Sequence, residues 1–275
     1  YVITGDIPAM WLRDSVCQLR PYLILAKEDE EVADTIEGLV NRLYRCIQSD
    51  AYANAFNEKG DGMCWEKDET DMGPDIWERK YEIDSLCFPI QLSYLLWKNT
   101  GRTSHFNEDF KKAVSIILNV WRTEQNHEAN SPYRFIRKNC YFTDTLSRDG
   151  KGSFVKPNIG MTWSGFRPSD DACVYGYLVP SNMFAVVVLE YIAQIAEVVL
   201  KDEKLKEEAL SFSKEIREAI ENYAVLKNYE FGKVYAYEID GFGQYLLMDD
   251  ANVPSLLSIP YLGYVDFKDE VYQNT

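Results

Sequence analysis

Apolar residues recur at helical spacing along two long segments of the chain. In residues 31–48 the apolar positions lie three or four residues apart, at Val32, Ile36, Leu39, Leu43 and Ile47. The segment 205–223 repeats the pattern, with charged residues between Leu205, Ala209, Phe212, Ile216, Ala219 and Tyr223. This spacing collects the apolar side chains on one face of a helix. We therefore predict two outer helices, each with one face in solvent.

A third segment, Asn182 to Leu200, is apolar on nearly every face. Its polar positions are mainly Glu190, Gln194 and Glu197, which form a narrow stripe. A helix that is apolar all round belongs in a protein core. The pattern also predicts helices at about residues 13–27, 83–99, 107–125 and 250–262. We expect an all-α fold of stacked helical hairpins, with about seven helices.

Two connectors between the predicted helices are unusually long and rich in aromatic residues. Ala51 to Arg79 contains Trp65 and Trp77, and Asn130 to Arg167 contains Tyr133, Phe135, Tyr141, Phe142 and Trp163. Long loops inside a compact domain are often functional, so we expect them to build a pocket. The alternative is that they are surface excursions whose aromatic side chains only cover the core.

The balance of charges restricts the class of partner. The chain has 44 acidic and 29 basic residues and a net charge of −15, which disfavours binding to nucleic acid or to an anionic membrane surface. A neutral glycan meets no such barrier. Within the buried helix the longest wholly apolar run is Met183 to Leu189, far shorter than the roughly 20 residues of a membrane span. No Pro/Gly/Ser-rich linker divides the chain, so residues 1–275 are predicted to form a single domain.

The cysteines and histidines do not form a recognisable metal motif. Six cysteines show no paired CxxC spacing, and His105 and His127 are not in an HExxH arrangement. We therefore expect no metal and no other cofactor, and free thiols in a reducing compartment such as the cytoplasm; the even number of cysteines leaves disulfide bridges as the alternative. Because the chain begins at Tyr1 and shows no signal peptide, we expect a fragment or a chain with processed ends.

The stretch from Thr162 to Met183 sets Arg167 and the adjacent carboxylates Asp170 and Asp171 among aromatic residues. A carboxyl group against aromatic walls is partly desolvated, which raises its pKa and allows it to act as a general acid near neutral pH. Cleavage of a glycosidic bond requires such an acid. The alternative is that either aspartate is a turn residue or a helix cap, roles that Asp favours.

A second cluster lies in residues Thr4 to Ser15, where Asp6, Trp11, Arg13 and Asp14 are close together. An indole can stack on a sugar ring, while carboxylate and guanidinium groups bind hydroxyls through paired hydrogen bonds. The competing interpretation puts Trp11 in the core, with Arg13 and Asp14 as an ion pair at a helix start.

Four runs of sequence carry a resemblance to a known family. They are GDIPAMWLRDS at Gly5 to Ser15, YEIDS at Tyr81 to Ser85, WSGFRPSDDA at Trp163 to Ala172, and MDDANVPSLLSIPYLG at Met248 to Gly263. In these runs and in their order the chain resembles glycoside hydrolase family 125, the metal-independent exo-acting α-1,6-mannosidases. The resemblance implies an (α/α)6 toroid, incomplete in this chain because its C-terminal part is missing, and inverting hydrolysis of mannose-containing glycans.

The resemblance also implies roles for individual residues. The general acid is an aspartate of the WSGFRPSDDA run, for which Asp171 is preferred and Asp170 is the alternative. The base is a glutamate expected beyond Thr275; within the chain, Asp249, Asp250 and Glu82 are the candidates. The terminal mannose is expected to contact Asp6, Trp11, Arg13, Asp14 and Arg167, with Tyr81, Glu82 and Asp84 as weaker candidates.

Two other functions remain open at this point. A helical module that binds carbohydrate without catalysis would show sugar affinity but no turnover. A different toroid enzyme, such as another inverting glycosidase, a glucosidase or an epimerase, is the second alternative. An epimerase would require histidines near the pocket, whereas His105 and His127 flank a predicted amphipathic helix.

Overall fold

Helices form the framework of the protein, which is described here over residues 1–275 in a computed structural model. In chain order they are α1 (Leu12–Leu19), α2 (Glu30–Ser49), α3 (Ile83–Thr100), α4 (Glu108–Glu124), the one-turn α5 (His127–Asn130) and α6 (Ser147–Gly150), α7 (Val179–Ile195), α8 (Glu203–Tyr223), and the short α9 (Ile259–Leu262) and α10 (Glu270–Asn274). Short 3-10 turns occur at Arg20–Ile24 and Phe142–Asp144, and a π-helical turn at Ala196–Leu200 follows α7.

Most of the predicted helices are confirmed. Helices α2 and α8 occupy the two amphipathic segments, and α3 and α4 lie at residues 83–100 and 108–124. Their starts have local causes: the Asp29 carboxylate accepts hydrogen bonds from the first backbone N–H groups of α2, and Asp202 and Asn107 do the same for α8 and α4.

Two predicted helices are wrong in extent. The helix expected at 13–27 stops at Leu19, because Pro21 lacks the N–H that would continue the α-helical ladder. The helix expected at 250–262 is reduced to Ile259–Leu262. Pro254 interrupts that segment, and the Asp249 carboxylate accepts hydrogen bonds from Leu256 N at 2.7 Å and Leu257 N at 3.0 Å.

Helix α7 is the centre of the hydrophobic core. It packs against α3 on one side and α8 on the other, and it belongs to a cluster of 70 buried apolar residues. The stretch Val179–Leu200 is long and apolar enough to cross a membrane: an 18-residue window within it has a mean hydropathy of 2.0, although 61% of that window is buried inside the protein. The run Met183 to Leu189 taken alone therefore underestimates how apolar the helix is. The helix nevertheless packs as a core helix does.

Eight short strands, which the sequence did not predict, join the connectors. They are β1 (Met10–Trp11), β2 (Ala55–Phe56), β3 (Ile76–Glu78), β4 (Tyr177–Leu178), β5 (Val225–Asn228), β6 (Gly232–Tyr235), β7 (Glu238–Ile239) and β8 (Tyr245–Leu246). Antiparallel pairing gives sheets of order β1-β2-β3 and β4-β7-β8 and a β5-β6 hairpin. With two to four residues each, these strands are too short to show an alternating pattern. The first sheet pairs Trp11 with Ala55 and so joins the N-terminal motif to the 51–79 connector.

The indole of Trp163 is enclosed by backbone. It is fully buried and stacks on the imidazole of His127, with the ring centroids 3.6 Å apart. A Cβ atom at Gly176 would lie 2.1 Å from the indole, and one at Gly152, where φ is +74°, would lie 2.6 Å from it. Both positions therefore require glycine while a tryptophan occupies position 163.

Candidate active site

A polar pocket of about 310 Å³ brings the two predicted motifs together. The N-terminal motif contributes residues 4–7 with Trp11, Arg13 and Asp14, and the second motif contributes residues 168–170. Asn252 completes the wall. Of the predicted site residues, Asp6, Trp11, Arg13, Asp14 and Asp170 line the pocket, whereas Asp171, Glu82 and Arg167 lie outside its lining.

Arg13 is the buried cation of the pocket. Its Nη1 donates to Glu82 Oε2 at 2.8 Å and to Asp84 Oδ2 at 2.9 Å, and its Nε lies 3.9 Å from Asp14 Oδ2. Helix α1 supplies the guanidinium, and the start of α3 supplies Glu82 and Asp84. The predicted contact of Arg13 with Asp14 is thus a minor part of a buried cluster that connects two helix starts.

The cluster holds more acidic groups than its single cation neutralises. Burial raises the pKa of Glu82 well above its ordinary value; Arg13 opposes this rise, and the charge of Asp84 adds to it. Burial also raises the pKa of Asp84, again against the influence of Arg13. For Arg13, burial disfavours the charge, but the two carboxylates outweigh it and raise the pKa of the guanidinium. Two carboxylates against one guanidinium in a dry site therefore retain protons more strongly than they do in water.

Asp170 sits at the tip of a tight turn between Arg167 and Asp171. Arg167 N donates to Asp171 O at 2.8 Å, and Asp170 N donates to Arg167 O at 2.9 Å. The φ of Asp170 is +68°, a left-handed conformation that Asp tolerates better than most residues. In this turn Asp170 faces the pocket and Asp171 is not part of the lining.

The pocket environment shifts the protonation of Asp170. Loss of solvent around the carboxyl raises the pKa of Asp170, Lys80 opposes the shift, and the negative charge of Glu78 adds to it. Although neighbouring groups crowd the carboxyl, the residue as a whole is exposed and lines the pocket. A carboxyl group with a raised pKa that is still accessible to a ligand can donate a proton to it.

Arg167 fixes the turn from behind. Its Nε donates to Glu238 Oε1 at 2.6 Å, and Glu238 Oε2 accepts the backbone N–H of Tyr175 at 2.8 Å. Glu238 is fully buried in β7. The predicted sugar contact of Arg167 is therefore not seen in the pocket lining, and Arg167 connects the turn to the second sheet.

Sequence reasoning missed three residues around the pocket, namely Lys80, Glu238 and Asn252. Lys80 Nζ donates to Asp144 Oδ1 at 2.5 Å and to the backbone oxygen of Asp170 at 2.9 Å. Lys80 directly precedes YEIDS, and Asn252 lies within the last of the four resembling runs. Both could therefore have been found by extending the search to the residues in and beside these runs. Glu238 has no such signal, because only folding brings it to Arg167.

The candidate bases within the chain are engaged elsewhere. Asp249 caps the turn at Leu256 and lines a different cavity, and Asp250 accepts hydrogen bonds from the Tyr237 hydroxyl at 3.3 Å and Asn252 N at 2.9 Å. Glu82 is buried against Arg13, and one of its oxygens, Oε1, has no hydrogen-bond partner. None of the three lines the pocket.

The histidines are also engaged in structure. His105 Nε2 lies 2.9 Å from Ser93 O, and His127 bonds Glu124 Oε2 and Lys151 O at 2.6 and 2.8 Å. Neither histidine lines the pocket, so the arrangement expected for an epimerase is not present there. No group of three or more His, Cys, Asp or Glu residues in the structure is arranged to hold a metal ion.

Comparison with known proteins identifies relatives over the whole chain. The family model described as metal-independent alpha-mannosidase (GH125) matches residues 1–275. The Meiotically up-regulated gene 157 protein of Schizosaccharomyces pombe is 38% identical over 295 residues, which cover 100% of this chain and 57% of the relative.

A solved structure is similar as well. It is that of a Streptococcus pneumoniae protein from a family of metal-independent alpha mannosidases, in a non-productive substrate complex with alpha-1,6-mannobiose. The two are 53% identical with a TM-score of 0.96, over 99% of this chain and 64% of the other. The chain thus spans between half and two thirds of the length of these relatives. Since the family model matches from the first residue to the last, the chain belongs to glycoside hydrolase family 125, the metal-independent alpha-mannosidases.

Proposed function

We propose that the protein removes terminal α-1,6-linked mannose from glycans by inverting hydrolysis. The observation that carries this proposal is a single pocket that Trp11, Arg13 and Asp14 line together with Asp170. The indole offers a face for a sugar ring, and the charged groups offer paired hydrogen bonds to hydroxyls. The α-1,6-mannobiose bound by the Streptococcus pneumoniae relative supports the choice of sugar and linkage.

Within this proposal Asp170 is the general acid, in place of the Asp171 that the sequence favoured. Asp170 lines the pocket and its pKa is raised, so that it can carry the proton that the leaving oxygen requires. The general base remains a prediction: inverting enzymes hold the second carboxylate about 6.5–9.5 Å from the first, with a water between them. We expect it from a glutamate outside residues 1–275, since the candidates within the chain are engaged elsewhere.

The remaining expectations follow from the same family. Packing of α2 against α3 and of α7 against α8 supports a fold of helical hairpins, and we propose that residues 1–275 are one part of an (α/α)6 toroidal domain. The natural substrate is proposed to be a mannose-containing glycan. A cytoplasmic location stays a prediction.

Substitution of the two neighbouring aspartates tests the proposal. In the full-length protein, Asp170→Asn should lower turnover of α-1,6-mannobiose by about 10²–10⁴-fold, the usual share of a general acid. An activated aryl mannoside should lose less, because its leaving group needs little protonation. The matched control, Asp171→Asn, should retain most activity, and NMR of the first product formed should show β-mannose. Loss of activity in the control alone would return the role to Asp171, and sugar binding without any turnover would favour a non-catalytic module.

A further inference from the structure

A second cleft, of about 490 Å³, lies between the two long connectors. Trp65 and Tyr141 form its aromatic walls, and Arg137 and Asp144 lie between them. We name it the Trp65–Tyr141 cleft. The side chains of Trp65 and Tyr141 are exposed to 51% and 85%, although burial of an aromatic ring is strongly favourable. Exposed aromatic rings along a cleft are typical of a surface that binds a ligand.

The cleft is built on a fixed scaffold. Backbone hydrogen bonds of 2.8 and 3.2 Å between Glu69 and Ile136 join the two connectors. Beneath them, the buried guanidinium of Arg137 donates to both oxygens of Asp68 at 2.8 and 2.7 Å and to Glu78 at 2.9 Å. The network holds the two connectors together, so the spacing of the aromatic walls is set by the fold.

The cleft adjoins the pocket through two contacts. Lys80 Nζ donates both to the carboxylate of Asp144, in the cleft, and to the backbone oxygen of Asp170, in the pocket. Next to it, Thr143 O accepts the N–H of Ala172 at 2.7 Å, so the segment that carries Tyr141 is attached to the turn that carries Asp170. A chain-like ligand held at Asp170 therefore has the cleft beside it.

The chemistry of the cleft matches a neutral sugar. Aromatic faces stack on the C–H face of a pyranose, and the partly exposed Asp144 carboxylate and the exposed Asn139 amide of the lining can hydrogen-bond to hydroxyls. The Arg137 guanidinium is occupied by Asp68, Glu78 and Asp144, so its part is to hold the lining in place. The net charge of −15 disfavours nucleic acid as the occupant. The charged groups between the walls disfavour a second copy held by an apolar patch.

We propose that the Trp65–Tyr141 cleft binds further pyranose units of an oligomannoside whose terminal mannose occupies the pocket. The inference rests on the proposed function and adds to it a preference for longer glycans. The enzyme should then bind α-1,6-linked mannotetraose more tightly than α-1,6-mannobiose, because only the longer sugar reaches Tyr141.

Steady-state kinetics of the full-length protein test the length preference. With mannotetraose, Tyr141→Ala and Trp65→Ala should each raise KM by about tenfold, equivalent to about 1.4 kcal/mol. With mannobiose, KM and kcat should change by less than about twofold, since the pocket is intact. Tyr229→Ala is the matched control, because Tyr229 is 100% exposed in the β5-β6 turn and does not line the cleft. A parent enzyme without a preference for mannotetraose, or a preference that both cleft variants keep, would overturn the proposal.

A direct measurement of sugar binding tests the cleft proposal independently of the proposed hydrolytic function. Titration calorimetry of mannotetraose with the Asp170→Asn protein, with and without Tyr141→Ala, reports on the cleft without turnover. If mannotetraose binding depends on Tyr141 but the parent protein hydrolyses no mannoside, the proposed function is refuted and the cleft proposal stands. If the parent protein hydrolyses mannosides normally but binding does not depend on Tyr141, the cleft proposal is refuted and the proposed function stands. A change of oligomeric state in Tyr141→Ala, with unchanged sugar affinity, would identify the surface as a contact between copies.

Discussion

At the scale of single residues, Arg13 combines a pocket position with a buried charge cluster. Its guanidinium contacts Glu82 and Asp84, whose side chains are completely buried. Removal of the cation leaves two carboxylates in a dry site, which is far more costly than loss of a solvent-exposed pair. The fold therefore depends on this side chain, and under the proposed function a sugar ligand does so as well.

We predict that Arg13→Ala lowers the free energy of unfolding by about 3–5 kcal/mol, the range for breaking a buried ion pair. It should also abolish mannose binding. Arg45→Ala is the matched control, because the Arg45 side chain is 68% exposed in its pair with Asp109, and its loss should cost about 0–1 kcal/mol. Urea unfolding of both variants measures the difference; equal costs would contradict the burial argument.

Of the site residues proposed from the sequence, five line the pocket and three, Asp171, Glu82 and Arg167, lie outside its lining. Trp11, Arg13 and Asp14 were recognisable because residues suited to sugar binding lie within one helical turn. The choice between Asp170 and Asp171 was not accessible, since it depends on the left-handed φ of Asp170. Arg167 was assigned to the sugar from the family resemblance, and its contact with Glu238, 71 residues away, is recognisable only in the folded chain.

At the scale of elements, the hydrophobic pattern was sufficient wherever a helix is long. Helix α7 was predicted as buried because apolar residues surround it, and its side chains fill the space between α3 and α8. The pattern failed at residues 250–262, where apolar spacing is helical but Pro254 removes a donor. It also missed every strand, because each has only two to four residues, and several pair with segments far away in the chain.

We predict that Phe184→Ala in α7 lowers the free energy of unfolding by about 3–5 kcal/mol, through lost burial and the cavity left behind. Phe184 is fully buried, and its ring meets that of Phe88 edge to face at 5.0 Å. Val198→Ala, at a position 49% exposed just beyond the same helix, is the control and should cost below about 0.5 kcal/mol. Chemical denaturation checks both. A small effect of Phe184→Ala would show that neighbouring side chains collapse into the space.

At the scale of the whole molecule, the buried acids link stability to pH. The pKa of Glu82 is raised by burial, so the folded protein binds this proton more tightly than the unfolded chain. Its contribution to stability is complete below the ordinary value of 4.5 and is lost as pH rises through the raised pKa. Glu108 has the opposite sign, because its hydrogen bond with Lys111 lowers its pKa.

We predict that Glu82→Gln, which imitates the protonated acid, gains stability relative to the parent as pH rises from about 4 to 8. Urea unfolding at a series of pH values measures the difference in free energy of unfolding. Glu108→Gln is the control of opposite sign, and it should lose a small amount relative to the parent over the same range. A constant difference between Glu82→Gln and the parent would mean that Glu82 is ionised throughout.

The enclosure of Trp163 by Gly152 and Gly176 has a consequence for how this sequence can vary through evolution. Neither glycine tolerates a side chain while the indole is present, and a smaller residue at position 163 opens a void in the core beside His127. A single substitution at any of these three positions should therefore destabilise the fold. The three positions should be inherited as a unit, so that a lineage which loses the tryptophan keeps a stable fold only by replacing a glycine in compensation.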